Sequence, residues 1–126
     1  MIRIVSPGLD QLAADLVEAQ DAIVPASAKV TGMACNNIKK DVQKRWSGLV
    51  HLPHLPRSIT YDVTTKGPLV VGDVGADHAL PQGKLAWIPE LGTPTSAPHP
   101  AFRPAAEKEQ PAWEMFLAKV AAEALE

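Results

Sequence analysis

Cysteine and long apolar runs are both scarce in this sequence, and each shortage excludes a class of protein. Cys35 is the one cysteine, so the sequence holds no internal disulfide. No apolar run approaches the roughly 20 residues that a membrane-spanning helix needs, and the segment 1–5 is too short for a signal peptide. A formal net charge of -2 argues against a general binder of nucleic acid or anionic membranes, because such proteins carry a basic excess.

Phosphate-binding glycine loops are missing as well. Gly72, Gly75 and Gly83 fit neither the G-x-G-x-x-G pattern nor a P-loop. The rest of the composition is that of a globular protein, with 46% hydrophobic and 21% charged residues. We expect a single domain, residues 1–126, with one small core. We also expect it to be made and kept in a cytoplasm unless a larger assembly carries it out.

Helical spacing dominates the first 46 residues. Apolar residues recur at intervals of three and four, first at Leu9, Leu12, Leu16, Ala19 and Ile23 and then at Val30, Ala34, Ile38, Val42 and Trp46. Residues 2–5 ahead of them have the pattern of a short strand. Pro25 falls between the two apolar sets, where it would kink one helix or separate two. A straight helix over both sets is roughly 55 Å long, so the chain must fold back at Pro25 or project and contact a partner.

A β-hairpin is predicted next. Polar and apolar residues alternate over residues 58–64, and residues 69–75 have the pattern of the returning antiparallel strand, across a turn at 65–68. The alternation places three apolar residues on one face of the first strand, namely Ile59, Tyr61 and Val63.

A C-terminal helix is predicted over residues 101–126, with its well-formed part starting near Gln110 because Pro111 interrupts the pattern. The predicted fold class is therefore α+β. It combines a long or kinked N-terminal helix, a small antiparallel sheet built on a hairpin, and a C-terminal helix.

Residues 85–104, LAWIPELGTPTSAPHPAFRP, are the stretch around which the rest is organised. An apolar segment leads into an E-L-G-T turn, then a loop rich in proline, then the start of the last helix. Each proline of the loop fixes one backbone dihedral and removes one donor, which predicts an irregular but stiff loop. Such a loop suits contact with a neighbouring protein better than chemistry on a small molecule.

Histidine and cysteine give little support to a metal or thiol site. His51 and His54 have H-x-x-H spacing, but a zinc site needs three or four ligands and the sequence supplies no others nearby. We therefore predict surface-loop histidines, with no metal and no cofactor. Cys35 lies in a helical pattern without a histidine close to it in sequence, which predicts a small buried cysteine.

Glu90 is the strongest candidate for an acid or base. It lies between apolar residues, where desolvation would raise its pKa. It nevertheless lacks a partner carboxylate, histidine or metal, and one carboxylate alone makes a poor active site. The interpretation that we favour is structural: Glu90 bonds backbone donors of the following Gly-Thr turn, or pairs with a basic residue across an interface.

A basic cluster on the first helix allows one further hypothesis. It consists of Lys39, Lys40, Lys44 and Arg45. These side chains would contact phosphate in a nucleic-acid-binding or regulatory module. No aromatic residues interleave with them, so a solvated helix face is the simpler interpretation.

Four motifs in a fixed order give the chain a resemblance to a known family. They are L-P-R-S-I at 55–59, V-V-G at 70–72, P-E-L-G-T at 89–93 and P-A-F-R-P-A at 100–105. Together they resemble the head-to-tail joining and tail-completion proteins of long-tailed bacteriophages. Members of that family commonly show an L-x-x-S-I start, a V-G strand, an E-F-G-T-like turn and a P-F-x-x-P-A helix start.

The resemblance spans most of the chain, with departures in three places. Leu91 stands where the turn usually has phenylalanine, and residues 85–88 replace a segment usually rich in tyrosine. Pro53 and Pro56 occupy the connector before the first strand. These departures affect contact residues more than they affect the fold.

The resemblance implies a non-enzymatic virion protein, a subunit of a ring of six copies at the head-tail junction. It would act as a tail terminator, tail-completion or connector (neck) protein. Its partners would be other copies of itself, a connector or stopper protein on the head side and the major tail tube protein on the tail side. Genomic DNA would pass through the ring without specific binding, and no membrane would be involved.

On this basis we expect the hairpin edge or the long helix to contact an adjacent copy, and the loop 93–100 to contact the next ring. We expect the following residues of these segments to lie at an interface or to have a structural role: Arg57, Ser58, Ile59, Trp87, Glu90, Gly92, Thr93, Phe102 and Pro104. The alternative is a small cytoplasmic enzyme or regulatory module that uses Glu90 with His51, His54 or His78.

Overall fold

The chain folds as a long helix, a β-hairpin and a second long helix, in that order. The computed structural model describes residues 7–124, with side chains for residue 14 and for residues 17–124. The elements are α1 (Pro7–Arg45), β1 (Ile59–Lys66), β2 (Leu69–Ala76), the short α2 (Trp87–Leu91) and α3 (Phe102–Ala124). This order confirms the predicted α+β class. The strand expected at residues 2–5 lies outside the described residues.

Helix α1 runs through Pro25 without a break, so of the two alternatives a single helix is the one observed. Pro25 deprives the helix of one hydrogen bond, the one that a residue with an N–H would donate to the carbonyl of Asp21. Contacts further along the helix offset this cost, because Ala34, Val42 and Trp46 are buried. The stripe predicted from their spacing is thereby confirmed.

Helix α3 lies antiparallel to α1 and is much shorter. The Trp46 and Phe102 rings meet edge to face at 5.2 Å at the start of α3, and halfway along α3 Trp113 Nε1 donates to Thr31 Oγ1 at 3.2 Å. At 39 and 23 residues, the helices are about 58 Å and about 35 Å long. The N-terminal part of α1 therefore projects beyond the end of α3 at Ala124.

The expected interruption of α3 at Pro111 is wrong, because the helix is continuous from Phe102. Pro111 is exposed, so its ring displaces no core side chain. The first turn is held by burial of Ala101 and Ala105, and Asn37 Nδ2 of α1 donates to Glu109 Oε1 at 3.0 Å just before the proline. Contacts on the turns before Pro111 thus outweigh the helix-breaking tendency of one residue.

The two strands form an antiparallel hairpin with Ile59 opposite Ala76 and Lys66 opposite Leu69, which confirms the predicted pair and extends it slightly. Directly opposite residues share a face. Ile59, at 1% exposure, belongs to the face that covers α1. Tyr61 lies on that face too but stays 40% exposed, with Lys39 Nζ 5.9 Å from its ring centre.

The core lies at one end of the molecule, where the C-terminal end of α1 meets the start of β1 and the start of α3. Its buried members are Val42, Trp46, Leu55, Ile59, Ala101 and Ala105. A 3₁₀ turn at Leu55–Ser58 leads the chain into this core. Within residues 7–124, no helix combines the length and the apolarity needed to cross a membrane.

Gly72 allows β2 to lie directly on α1. A Cβ atom at this position would come within 2.5 Å of Cys35 Sγ and 2.7 Å of Thr31 Cγ2. Gly75 in the same strand has open space around it, with nothing within 4 Å of the same added atom. The two glycines therefore differ in what they permit, although they share a strand.

We expect Gly72→Ala to lower the free energy of unfolding by about 1–3 kcal/mol, because the added methyl overpacks the contact between β2 and α1. Gly75→Ala is the matched control and should change this free energy by less than about 0.5 kcal/mol. Urea denaturation followed by circular dichroism measures both. Equal effects at the two positions would contradict the proposed contact.

Candidate functional site

The backbone N–H groups at the N-terminus of α3 find their hydrogen-bond acceptor outside the helix. The N–H groups in the first turn of a helix have no acceptor within the helix and must find one elsewhere. In α3 the first helical hydrogen bond is donated by the Ala105 N–H to the Ala101 carbonyl at 3.0 Å. The N–H groups of residues 101–103 precede it, and Pro104 has no N–H to satisfy.

Glu90 accepts hydrogen bonds from all three of these N–H groups. Its Oε2 lies 2.8 Å from the Ala101 nitrogen and 3.2 Å from the Phe102 nitrogen, and its Oε1 lies 3.3 Å from the Arg103 nitrogen. A carboxylate here is also favoured by the positive end of the helix dipole. We call this arrangement, Glu90 with the N–H groups of residues 101–103, the α3 cap.

The α3 cap corrects one sequence prediction. Glu90 does bond backbone donors, but they belong to α3 and not to the Gly92-Thr93 turn. Sequence spacing could not show this, because the donors lie eleven to thirteen residues further along the chain. The short helix α2 supplies the position, since it presents the Glu90 side chain toward the start of α3.

The Gly-Thr turn has a different task, which is to reverse the chain after α2. Gly92 adopts a φ of 78°, a conformation that favours glycine, and an added Cβ would lie 2.9 Å from Pro98 Cδ. Thr93 and Ser96 then exchange backbone hydrogen bonds of 2.9 and 3.1 Å. Residues 92–101 contain no helix or strand beyond this bridge, which confirms the predicted irregular loop.

His99 fastens this loop to α1, a contact that sequence reasoning missed. Its carbonyl accepts from the buried Trp46 Nε1 at 2.9 Å, and its backbone N–H donates to Pro89 at 2.6 Å. His99 Nε2 lies 3.1 Å from the Arg45 carbonyl, which can only accept, so Nε2 carries the proton. Trp46 lay on a predicted apolar stripe, but no sequence signal distinguished His99 from the other loop histidines.

The remaining motif residues divide into buried and exposed groups. Ser58 is fully buried and its Oγ donates to the Leu55 carbonyl at 2.6 Å, while Ile59 and Phe102 contact the core. Pro104 is half-buried in the first turn of α3. Arg57 and Trp87 are exposed, so these two are the motif residues open to a partner.

The residues that the sequence suggested for catalysis or metal binding do not form one site. His51, His54 and His78 are exposed, and among the described residues no histidine side chain is hydrogen-bonded to Glu90. Nor does any group of three His, Cys, Asp or Glu stand close enough to hold a metal ion among the residues whose side chains the structure describes.

Cys35 is buried at 5% exposure, as its position in the helical pattern predicts. Burial raises the pKa of the Cys35 thiol, and the Asp73 carboxylate raises this pKa further. A neutral thiol under these conditions is a poor nucleophile, since the thiolate is the reactive form. Cys35 therefore behaves as a small apolar residue beneath β2.

The basic cluster is divided among different contacts. Arg45 pairs with Asp41 at 3.0 Å, and Lys39 lies over the Tyr61 ring. Lys40 and Lys44 face a shallow groove toward α3. This groove also contains carboxylates, so the cluster forms no continuous basic surface.

No family model matches the sequence, and searches of the curated proteins and of the solved structures return no significant match.

We expect Glu90→Ala to lower the free energy of unfolding by about 2 kcal/mol, because three N–H groups at the start of α3 lose their acceptor. Glu90→Gln keeps an acceptor oxygen but loses the charge, and should cost about 1 kcal/mol. The control is Glu107→Ala, which removes an exposed ion pair to Arg103 in the same helix and should cost less than about 0.5 kcal/mol. Thermal and urea denaturation rank the three variants, and a harmless Glu90→Ala change would refute the structural role of the cap.

Cys35 gives stability a pH dependence in the alkaline range. Its contribution is complete below the thiol pKa of the unfolded chain, about 8.5. It is lost as the pH rises through the higher pKa of the folded state, because the unfolded thiol ionises first. As the pH rises above the pKa of the unfolded thiol, the free energy of unfolding should thus fall more steeply in the wild type than in Cys35→Ala. Parallel slopes would show that the thiol has no such role.

Proposed function

We propose that this chain is a structural subunit of the head-tail junction of a long-tailed bacteriophage, where copies of it form a closed ring as a tail terminator, tail-completion or connector protein. The observation that carries the proposal is that three of the four motifs of the resemblance, which are far apart in sequence, meet in one place. Leu55 and Ile59 of the first motif and Ala101 and Ala105 of the last lie in the same core.

The other two motifs have structural tasks as well, one at this joint and one between β2 and α1. Glu90 of P-E-L-G-T binds the backbone of P-A-F-R-P-A, so these motifs form the α3 cap together. Gly72 of V-V-G permits the close contact between β2 and α1. Each motif has a physical task in one architecture, which is the relation expected of a pattern shared by a family.

Ring formation draws support from the surfaces that the fold leaves open. A cyclic ring needs two different surfaces on each subunit, because its contacts are heterologous. The hairpin is a two-stranded sheet in the described part of the chain, and its outer edges offer unpaired backbone groups to a neighbour. The projecting part of α1 and the exposed loop 93–100 supply further surfaces.

The competing enzyme hypothesis depended on Glu90, and the geometry of Glu90 does not favour it. Its two oxygens are directed at the backbone of α3. A general base must reach the proton that it removes, within about 2.6–3.2 Å or through one water. With its oxygens occupied in the α3 cap, Glu90 acts more naturally as a fixed element of structure.

The proposal predicts a specific assembly defect. A premature stop codon in the gene, placed in the phage or prophage that encodes it, should yield filled heads and separate tails, visible by negative-stain electron microscopy. Wild-type protein supplied from a plasmid should restore joined particles, as should the control variant Glu107→Ala.

Gold-labelled antibody against the chain should then mark the head-tail junction of the restored particles. Intact infectious particles formed without the chain would overturn the proposal. So would antibody label elsewhere on the virion or none at all.

A further inference from the structure

A groove of about 260 Å³ lies between the C-terminal half of α1 and the first half of α3. Three exposed lysines line it, Lys40 and Lys44 of α1 and Lys108 of α3, and we call it the lysine groove. Lys40 and Lys44 are one helical turn apart, where like charges repel. None of the three lysines has an ion-pair partner among the residues whose side chains the structure describes.

The two carboxylates in the lysine groove are occupied within the chain. Asp41 pairs with Arg45 at 3.0 Å, and Glu109 Oε1 accepts from Asn37 Nδ2 at 3.0 Å. Both acidic residues are half-buried, whereas the three lysines are exposed. An acidic group that enters the groove from solvent therefore meets the lysines first.

The first half of α1 carries the opposite charge. Residues 7–26 contain acidic residues but no lysine or arginine. Within this range Ala14, Val17, Glu18 and Asp21 recur at helical spacings of three and four, so they share one face, and all four are exposed. We call these four residues the acidic face. Val17, at 59% exposure, adds an apolar surface beside the two carboxylates.

Most of the acidic face lies beyond the cover of α3. Thr31 of α1 is hydrogen-bonded to Trp113 of the antiparallel α3. Ala124 is a further eleven residues along α3, so the end of α3 comes level with Gln20 of α1. The part of the acidic face before Gln20 therefore has no helix of its own chain beside it among the described residues.

The acidic face cannot reach the lysine groove of its own chain. Both surfaces include residues of one unbroken helix, α1. Glu18 and Lys40 are 22 residues apart in that helix, which is about 33 Å along its axis. An acidic face that enters a lysine groove must therefore belong to another copy.

We propose that the acidic face of one copy packs as a third helix in the lysine groove of the next copy, with its two carboxylates beside the three lysines. A groove between two helices accepts a third at an interaxial distance of about 8–10 Å, and Ala14 and Val17 are small enough for that approach. The two surfaces are different, so the contact is heterologous and continues from copy to copy until it closes. This inference rests on the proposed ring, since it names the contact that joins the subunits.

Zero-length cross-linking with a water-soluble carbodiimide tests the contact in the unmodified chain. The reagent joins a carboxylate to a lysine amine only where the two touch, so peptide mass spectrometry should find Glu18 or Asp21 joined to lysines of the groove. Within one copy Glu18 and Lys40 are about 33 Å apart, so such a product reports a contact between copies. Lys66, exposed in the hairpin, is the control and should not be joined to either carboxylate. Assembled oligomers without the groove cross-links would overturn the proposal.

Charge reversal tests whether the two surfaces meet. Glu18→Lys with Asp21→Lys should weaken association about ten-fold, because attractions between opposite charges become repulsions. Lys40→Glu with Lys44→Glu should weaken it similarly, and all four changes in one chain should restore it. Lys66→Glu is the control and should leave association unchanged. Analytical ultracentrifugation measures these affinities, and a folded four-fold variant that stays as weak as its parents would show that the surfaces do not meet.

Nucleic acid is the competing occupant of the lysine groove. We expect the intact oligomer to retain no duplex DNA at low salt, because its groove is filled by the acidic face. DNA that is retained by the wild type and lost with Lys40→Glu and Lys44→Glu, while Glu18→Lys and Asp21→Lys leave association unchanged, would assign the groove to phosphate and overturn the helix contact.

The charge variants also separate this inference from the proposed function. Oligomers that keep their affinity in both reversed variants, and whose chain is still labelled at the head-tail junction, would overturn the helix contact and leave the ring standing. An intact chain that stays monomeric both in solution and in assembled particles would overturn both.

Discussion

The hydrogen bonds from the start of α3 to Glu90 are the constraint on which the rest of the arrangement depends. A helix that begins inside a protein must find acceptors for its first N–H groups, and here one carboxylate serves residues 101–103 while Pro104 needs none. With its terminus satisfied, α3 can bury Ala101 and Ala105 against Trp46 and Ile59. The core, the proline loop and the antiparallel contact between the long helices all follow from that placement.

Much of this fold is contained in local patterns of the sequence. The spacing that ends in Val42 and Trp46 predicts the buried face of α1, and the alternation around Ile59 predicts β1, because each pattern reflects a backbone period. Local patterns fail where a distant contact outweighs a propensity. Pro111 should break α3 by its own preference, yet contacts made by Ala105 and Glu109 on the preceding turns keep the helix continuous.

Only part of the candidate site could be predicted from the sequence. Glu90 stands out as a carboxylate among apolar residues, and its role as an acceptor of backbone hydrogen bonds follows from that setting. The identity of the donors does not follow from the sequence, because the loop between α2 and α3 has no periodic pattern from which its path can be deduced. His99 shows the same limit, since its importance comes from the position of its backbone against Trp46 and Pro89.

The α3 cap also has a consequence for how the protein opens. A short helix such as α2 has little stability alone, yet it carries the acceptor on which the 23 residues of α3 depend. Loss of α2 would strip the acceptor from the N-terminus of α3, so the two segments should exchange their amide hydrogens as one cooperative group. The N-terminal part of α1 projects beyond the end of α3, so it should exchange its amide hydrogens as a separate group.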